Sequence, residues 1–211
     1  AFSACVNLKS IPVALMANAT SALDIKYMFA GCDSVTEIPS GMFKNNSTVT
    51  NLEYIFYKTG VKRLQKGIFE GLTSVKTIGA VFQGCESLSE IEPGVFDGLT
   101  SAKSFRYCFA DCSSLRQIPS GLFGGLTLAY EFVYTFENSA LESIPEDLFA
   151  DARDYSSADF TYMLANCKNL KTVPAGLFRT FTKVTSPGFK NMFNGSGIET
   201  IPAGLFANNT S

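Results

Sequence analysis

The sequence predicts an α/β repeat solenoid, a coil with one short parallel strand per repeat of about 27 residues and a short helical turn or loop on the opposite side. Three observations predict it. One phrase recurs at a nearly fixed period along the whole chain. Each recurrence follows five residues that alternate in polarity. After each Pro-x-Gly the apolar spacing widens to three or four.

The repeat comes first. FAGCDSVTEIPSGMF at 29–43 returns at 82–96, 109–123 and 164–178, with degenerate copies at 2–16, 56–69, 136–149 and 193–206. Anchored on Phe2, Phe29, Phe56, Phe82, Phe109, Phe136, Leu164 and Phe193, the spacings are 27, 27, 26, 27, 27, 28 and 29. Small slips around a constant period are what stacked coils produce, because each coil pairs only with its neighbours and loops absorb the slips. The expected organisation is one solenoid over 1–211, with units 2–28, 29–55, 56–81, 82–108, 109–135, 136–163, 164–192 and a partial 193–211. The stretch begins and ends mid-repeat, so capping segments are expected outside it.

The strand follows from alternation. Ile25-Lys26-Tyr27-Met28-Phe29 is matched by Leu52-Glu53-Tyr54-Ile55-Phe56, Phe105-Arg106-Tyr107-Cys108-Phe109 and four further copies. Period two over five aromatic and branched residues reads as a strand. The set Ile25, Tyr27, Phe29 and its equivalents is the more uniformly large, so it is expected to face inward. Phe29, Phe56, Phe82, Phe109, Phe136 and Phe193 then form one interior column. The other phase would put an apolar stripe outside: Met28, Ile55, Val81, Cys108, Thr135, Met163 and Met192. Beside it runs a variable row with Lys26, Glu53, Arg106 and Val133. An exposed apolar stripe of this kind marks an interaction site, and Met adapts to varied partners. This is the candidate partner-binding face; the competing readings are that another layer, a loop or a sister chain covers the stripe, or that these residues are simply good strand formers.

Past the Pro-x-Gly turn, which reads Lys66-Gly67 and Pro93-Gly94 in two of the copies, the spacing of Phe69, Leu72 and Val75, or of Phe96, Leu99 and Ala102, points to a single helical turn. Cys5, Cys32, Cys85, Cys112 and Cys167 occupy one register position. Thr59, Ser139 and Ser196 replace them in three copies that are one residue shorter. A packing ladder, disulfides between stacked neighbours and a zinc site are the alternatives. Substitution by Thr and Ser favours packing by a small, weakly polar side chain, and a linear ladder is not a tetrahedron.

Composition narrows the function. The 211 residues include no His, which removes the usual proton shuttle and the base of most Ser and Cys nucleophile systems. Cys108, on the outward phase, is a thiol with no base to activate it. Glu142 with Glu146 and Asp151 with Asp154 are carboxylate pairs on loops with no insertion to build a cleft. No catalytic residue, cofactor or metal is expected. The net charge is -2 without a basic run, which argues against nucleic acid. No apolar run reaches the length of a membrane span, and the N-terminus does not read as a signal peptide. Asn18, Asn45, Asn46, Asn194, Asn208 and Asn209 head Asn-x-Ser/Thr triplets, read as turn residues unless the chain passes through a eukaryotic secretory route.

Tyr-x-Phe-x-x-Cys followed by Leu-x-x-Ile-Pro-x-Gly-Leu-Phe-x-x-Leu-Thr resembles the leucine-rich-repeat consensus. The aromatic-rich, Cys-containing form is most similar to the BspA-like surface repeats of Bacteroidetes, over essentially the whole chain. The resemblance implies a right-handed, horseshoe or gently curved coil, a cell-surface or secreted location in a bacterium, and adhesion to a protein or glycan partner. A passive spacer carrying other domains, and a phage or symbiont adhesin module, are the competing expectations.

Overall fold

The computed structural model describes residues 1–21 and 24–209. Thr210 and Ser211, which complete the last two Asn-x-Ser/Thr triplets and the last repeat, lie outside them.

Successive coils lie directly on one another. Tyr27 N donates to Glu53 O (3.2 Å), Phe29 N to Ile55 O (2.9 Å) and Gly31 N to Tyr57 O (2.7 Å). The same pattern continues through Tyr54 to Gly79 O (3.0 Å), Ala80 to Arg106 O (2.7 Å), Tyr107 to Val133 O (3.0 Å), Tyr134 to Thr161 O (3.0 Å) and Tyr162 to Lys190 O (3.1 Å). These bonds satisfy backbone groups that burial would otherwise leave unpaired.

The expected five-residue strands are not formed, and this corrects the sequence reading. Among the described residues the strands are β1, Arg63–Leu64, and β2, Glu90–Ile91, paired in parallel with Arg63 opposite Glu90. A ladder of single parallel bridges also links Asp24, Asn51, Thr77, Ser104, Glu131 and Asp159. Immediately after it the chain makes linked reverse turns. Met28 N reaches Ile25 O (3.3 Å), Ala30 N reaches Tyr27 O (3.2 Å) and Cys32 N reaches Phe29 O (3.2 Å). The cause is local. Tyr27, Tyr54, Ala80, Tyr107, Tyr134, Tyr162 and Asn191 all hold φ between 52° and 59°. A left-handed residue cannot continue a strand.

That single conformation breaks the alternation. Ile25 is inside, Lys26 and Tyr27 are outside, and Phe29 is inside again. The following position also turns in: Ile55, Val81, Cys108 and Met163 are 0% exposed, Thr135 is 0% and Met192 2%. The apolar stripe expected on the surface is therefore part of the core. Val133, at 4%, is buried as well, and Met28 is half-buried.

Among the described residues the helical turn is realised only in the first coil, as a 3-10 turn at Val13–Met16. Later coils use separate reverse turns there, such as Glu70 N to Gly67 O (3.2 Å) and Asp97 N to Gly94 O (3.1 Å).

Phenylalanine fills the interior in three columns. Phe2, Phe29, Phe56, Phe82, Phe109 and Phe136 stack with centroids 5.5–5.9 Å apart. Leu164 continues the column, and Phe193 stands half-buried at its last position. Phe69, Phe96, Phe123, Phe149, Phe178 and Phe206 form the second column. Phe105, Phe132, Phe160 and Phe189 form the third. Edge-to-face contacts such as Phe96–Phe105 (5.3 Å, 71°) tie columns together, and pairs of this kind add roughly 0.5–1.5 kcal/mol each beyond burial.

The cysteine ladder runs beside the first column. Cys32 Sγ donates to Phe2 O (3.1 Å), Cys85 to Phe56 O (3.2 Å), Cys112 to Phe82 O (3.3 Å) and Cys167 to Phe136 O (3.1 Å). Each thiol thus fastens its coil to the one before. All six cysteines are free. In two of the shorter copies the hydroxyl joins the same ladder: Thr59 Oγ1 and Ser139 Oγ lie 3.4 Å from Cys85 and Cys167 Sγ. The missing residue draws the chain against its neighbour. A Cβ on Gly60 would lie 2.0 Å from Asp33 O, and one on Gly197 2.0 Å from Lys168 O.

Candidate interaction face

The same left-handed position that removes the strand creates a surface. It aims Tyr27, Tyr54, Tyr107, Tyr134 and Tyr162 outward from successive coils, where the sequence reading had placed them inside. Tyr27 is 48% exposed and the others are half-buried. The rings stack edge-out in two runs. Tyr27–Tyr54 are 4.7 Å apart at 4°; Tyr107–Tyr134 are 4.7 Å at 4°, and Tyr134–Tyr162 4.8 Å at 5°. Asn191 closes the second run, donating from Nδ2 to Tyr162 Oη at 2.7 Å. Burial, then the neighbouring phenol, pushes the Tyr54, Tyr107 and Tyr134 hydroxyls above the ordinary range, so they stay protonated donors.

Polar rows border the rings on both sides. On one side stand Lys26, which is exposed, and Glu53 and Arg106, which are half-buried, from the row singled out in the sequence. Lys26 pairs with Asp24 (3.3 Å) and Arg106 with Glu131 (3.1 Å). Glu53 accepts from Asn51 Nδ2 (3.2 Å) and Thr77 Oγ1 (3.5 Å). On the other side Asp111 accepts from Gln83 Nε2 (3.3 Å) and Asn138 Nδ2 (2.9 Å). Glu137 lies nearby, its carboxyl raised by burial and by Asp111. Lys58 sits 5.3 Å from the centre of the Tyr57 ring. An aromatic strip with a charged and amide rim has the anatomy of a protein interface.

The structure thus brings together Lys26, Glu53 and Arg106 and withdraws Ile55, Val81, Cys108, Val133, Met163 and Met192. One signal for the tyrosines was present. The Tyr position accepts Ala80 and Asn191, whereas the neighbouring Phe position accepts only Leu. A side chain with a polar tip that is replaceable by Asn belongs at a wet edge.

Cys108 is buried, and burial raises its thiol well above the ordinary value. Burial likewise pushes Cys85 to about 11, opposed by the hydrogen bonds from Thr59. The loop carboxylates are engaged structurally: Glu142 with Arg116, Glu146 with Arg179 (3.9 Å) and Asp154 with Thr182 N (2.8 Å). Among the described residues no three His, Cys, Asp or Glu converge to hold a metal, and no helix is long and apolar enough to cross a membrane. Asn46 is fully buried, donating to Met16 O (3.2 Å) and Ala19 O (2.9 Å), so it cannot carry a glycan in the folded chain.

Known structures supply the comparison. A chain of the glycosylated Toll–Spatzle complex of Drosophila superposes with a TM-score of 0.52 at 16% identity, covering 95% of this chain and 30% of that one. The chain folds as a leucine-rich-repeat solenoid. It spans about 30% of the length of that Toll-complex chain. The APL1 leucine-rich-repeat domain superposes less well, with a TM-score of 0.46 at 15% identity, covering 69% of this chain and 33% of its own. No family model matches the sequence, and no curated protein matches it as a relative. At these identities the likeness speaks to the fold alone, here a leucine-rich-repeat coil whose strands are almost wholly replaced by turns.

Proposed function

We propose that this chain is a non-catalytic interaction module that binds a protein partner along the tyrosine face. The observation that carries the reading is the outward column Tyr27, Tyr54, Tyr107, Tyr134 and Tyr162 between two polar rows. Tyr supplies large, rigid, amphipathic contact area at low entropic cost, and it is enriched where interfaces are tightest. A protein of the same fold, Toll, forms a complex with Spatzle, which supports binding as the use of such a surface. The Tyr-x-Phe-x-x-Cys repeat supports a finer reading: a BspA-like solenoid over the whole chain, on the surface of a bacterium or secreted by it, acting in adhesion.

The test is an array of immobilised extracellular proteins and glycans, probed with the wild type and with Tyr134→Ser and Tyr162→Ser. These rings are surface members, so folding, checked by circular dichroism, should persist. Saturable binding to a protein that weakens at least tenfold in each variant is expected. Binding that ignores both substitutions, or is absent across the array, would leave a spacer as the better account.

A further inference from the structure

The two rims of the tyrosine column are ordered by charge. At each level one residue stands just before the ring in sequence, and one stands four places after it on the other side. Glu53 faces Lys58 across Tyr54, and Arg106 faces Asp111 across Tyr107. No other level carries a charge on both sides. The second row is fixed by a left-handed turn of its own: Lys58, Asp111 and Asn138 hold φ of 51°, 60° and 56°. Their N–H groups bond the next coil at Gln83 O (2.9 Å), Glu137 O (2.8 Å) and Ala165 O (2.9 Å).

Most of these charges are not neutralised within the chain. Among the described residues Lys58 meets the Tyr57 ring at 5.3 Å but no carboxylate. The Glu53 carboxylate accepts from the Asn51 amide and the Thr77 hydroxyl, and that of Asp111 from the amides of Gln83 and Asn138. Arg106 pairs with Glu131 at 3.1 Å, yet its side chain is 43% exposed and a guanidinium has further donors to offer. Among the described residues the Tyr162 hydroxyl alone of the five is bonded within the chain, by Asn191.

We propose that a second copy of this chain packs face to face on the tyrosine column, about a twofold axis running along it. The proposal rests on the reading of the tyrosine face as a protein-binding surface and names the protein.

Three features select a second copy. The first is charge. An axis along the column exchanges its two sides and keeps its levels, so Glu53 meets Lys58 of the second copy and Arg106 meets Asp111 of the second copy. One operation pairs all four charges, each contact occurring twice, as in the isologous dimers that dominate soluble assemblies. The second is spacing. The rungs lie 4.7–4.8 Å apart, and a partner of the same rise keeps register over the six steps of the column, about 29 Å. The third is the phenol itself, which both donates and accepts and so can bond to its own kind. Neighbouring ring planes turn by only 4–5°, which leaves each run flat enough to lie against its own image. The level of Ala80 is roofed by the same rim charges. A Cβ on Gly79 would meet Glu53 Oε1 at 3.4 Å, and one on Gly84 would meet Lys58 Cγ at 2.7 Å.

The test is sedimentation velocity over roughly 1 μM to 1 mM protein, the span of weak to moderate interfaces, with the chain itself immobilised as a further member of the binding array. The wild type should pass from monomer to dimer in that span and should bind its own spot. Tyr134→Ser should raise the dissociation constant at least tenfold. Charge exchange tests the axis. Arg106→Glu and Asp111→Lys each set like charges together at both symmetric contacts, so each alone should weaken the dimer at least tenfold. An equimolar mixture of the two should recover wild-type affinity, because each substituted side chain then meets its opposite. Lys already holds this left-handed position at Lys58, so Asp111→Lys should fold. Glu53→Lys mixed with Lys58→Glu is the independent second exchange, used if circular dichroism shows either of the first two unfolded. A wild type that stays monomeric throughout, a dimer indifferent to Tyr134→Ser, or mixtures no tighter than the single variants would each overturn the proposal. If Tyr134→Ser abolishes binding to another protein of the array while the wild type stays monomeric, the face stands and the second copy falls.

Discussion

Replacing Phe109 by Ala tests the stacked core most directly. Phe109 is 0% exposed, lies between Phe82 at 5.7 Å and Phe136 at 5.6 Å, and touches Phe96 at 6.0 Å in the second column. The substitution removes a whole ring from a site whose walls are neighbouring rings, each held by its own coil, so collapse around the void is limited. A loss of about 3–5 kcal/mol is expected, the usual range for a buried Phe→Ala change. For a chain of this length each kcal/mol is worth roughly 2–4 °C, so the melting temperature should fall by about 6–20 °C. Phe2→Ala is the internal control. Phe2 is only partly buried and stacks on one ring, Phe29 at 5.5 Å, so it should cost no more than about a third as much. Urea titration followed by far-UV and near-UV circular dichroism reads both variants. Equal losses at the two positions, or a loss below about 1 kcal/mol at Phe109, would refute the columnar packing.

Three further outcomes follow from the burial and backbone pattern. Ile55→Asp and Val81→Asp put a charge where nothing is exposed, so both should unfold the chain or lower its melting point by tens of degrees; a native-like near-UV spectrum with an unchanged melt would show the pair to lie outside. Gly60→Ala drives a methyl group to within 2.0 Å of Asp33 O and should cost more than about 2 kcal/mol, as overpacking does; a melt within 1 °C of wild type would show that the shorter coil has room to spare. Burial raises the thiols of Cys32, Cys85, Cys108, Cys112 and Cys167. A raised folded value means the folded state holds its proton more tightly, so this stability is complete below about pH 9 and is lost as pH climbs toward and past 11. Cys85, moving from 9.0 to about 11, contributes on the order of 2–3 kcal/mol of that loss. Stability that stays flat from pH 8 to 10.5 in urea titrations would contradict it.

Much of the architecture was legible in the chain. A phrase recurring every 26 to 29 residues can bury its Phe only against its own neighbours, so stacking in register was determined by the period itself. The interchange of Cys with Thr and Ser likewise marked a site needing small size and one weak hydrogen bond, which Phe2 O, Phe56 O, Phe82 O and Phe136 O accept. Which side chains face solvent was decided only in three dimensions. Alternation in polarity assigns faces correctly if every residue is extended, and no residue type announces that Tyr27 and its equivalents hold a positive φ, a conformation that Gly ordinarily supplies. Inter-coil hydrogen bonds on both sides hold that conformation in place. One turn per coil then moved Ile55 and Met163 into the core and set the tyrosines outside while Phe56 and Leu164 stayed inside, because a left-handed residue ends the extended backbone on which the alternation of faces rests.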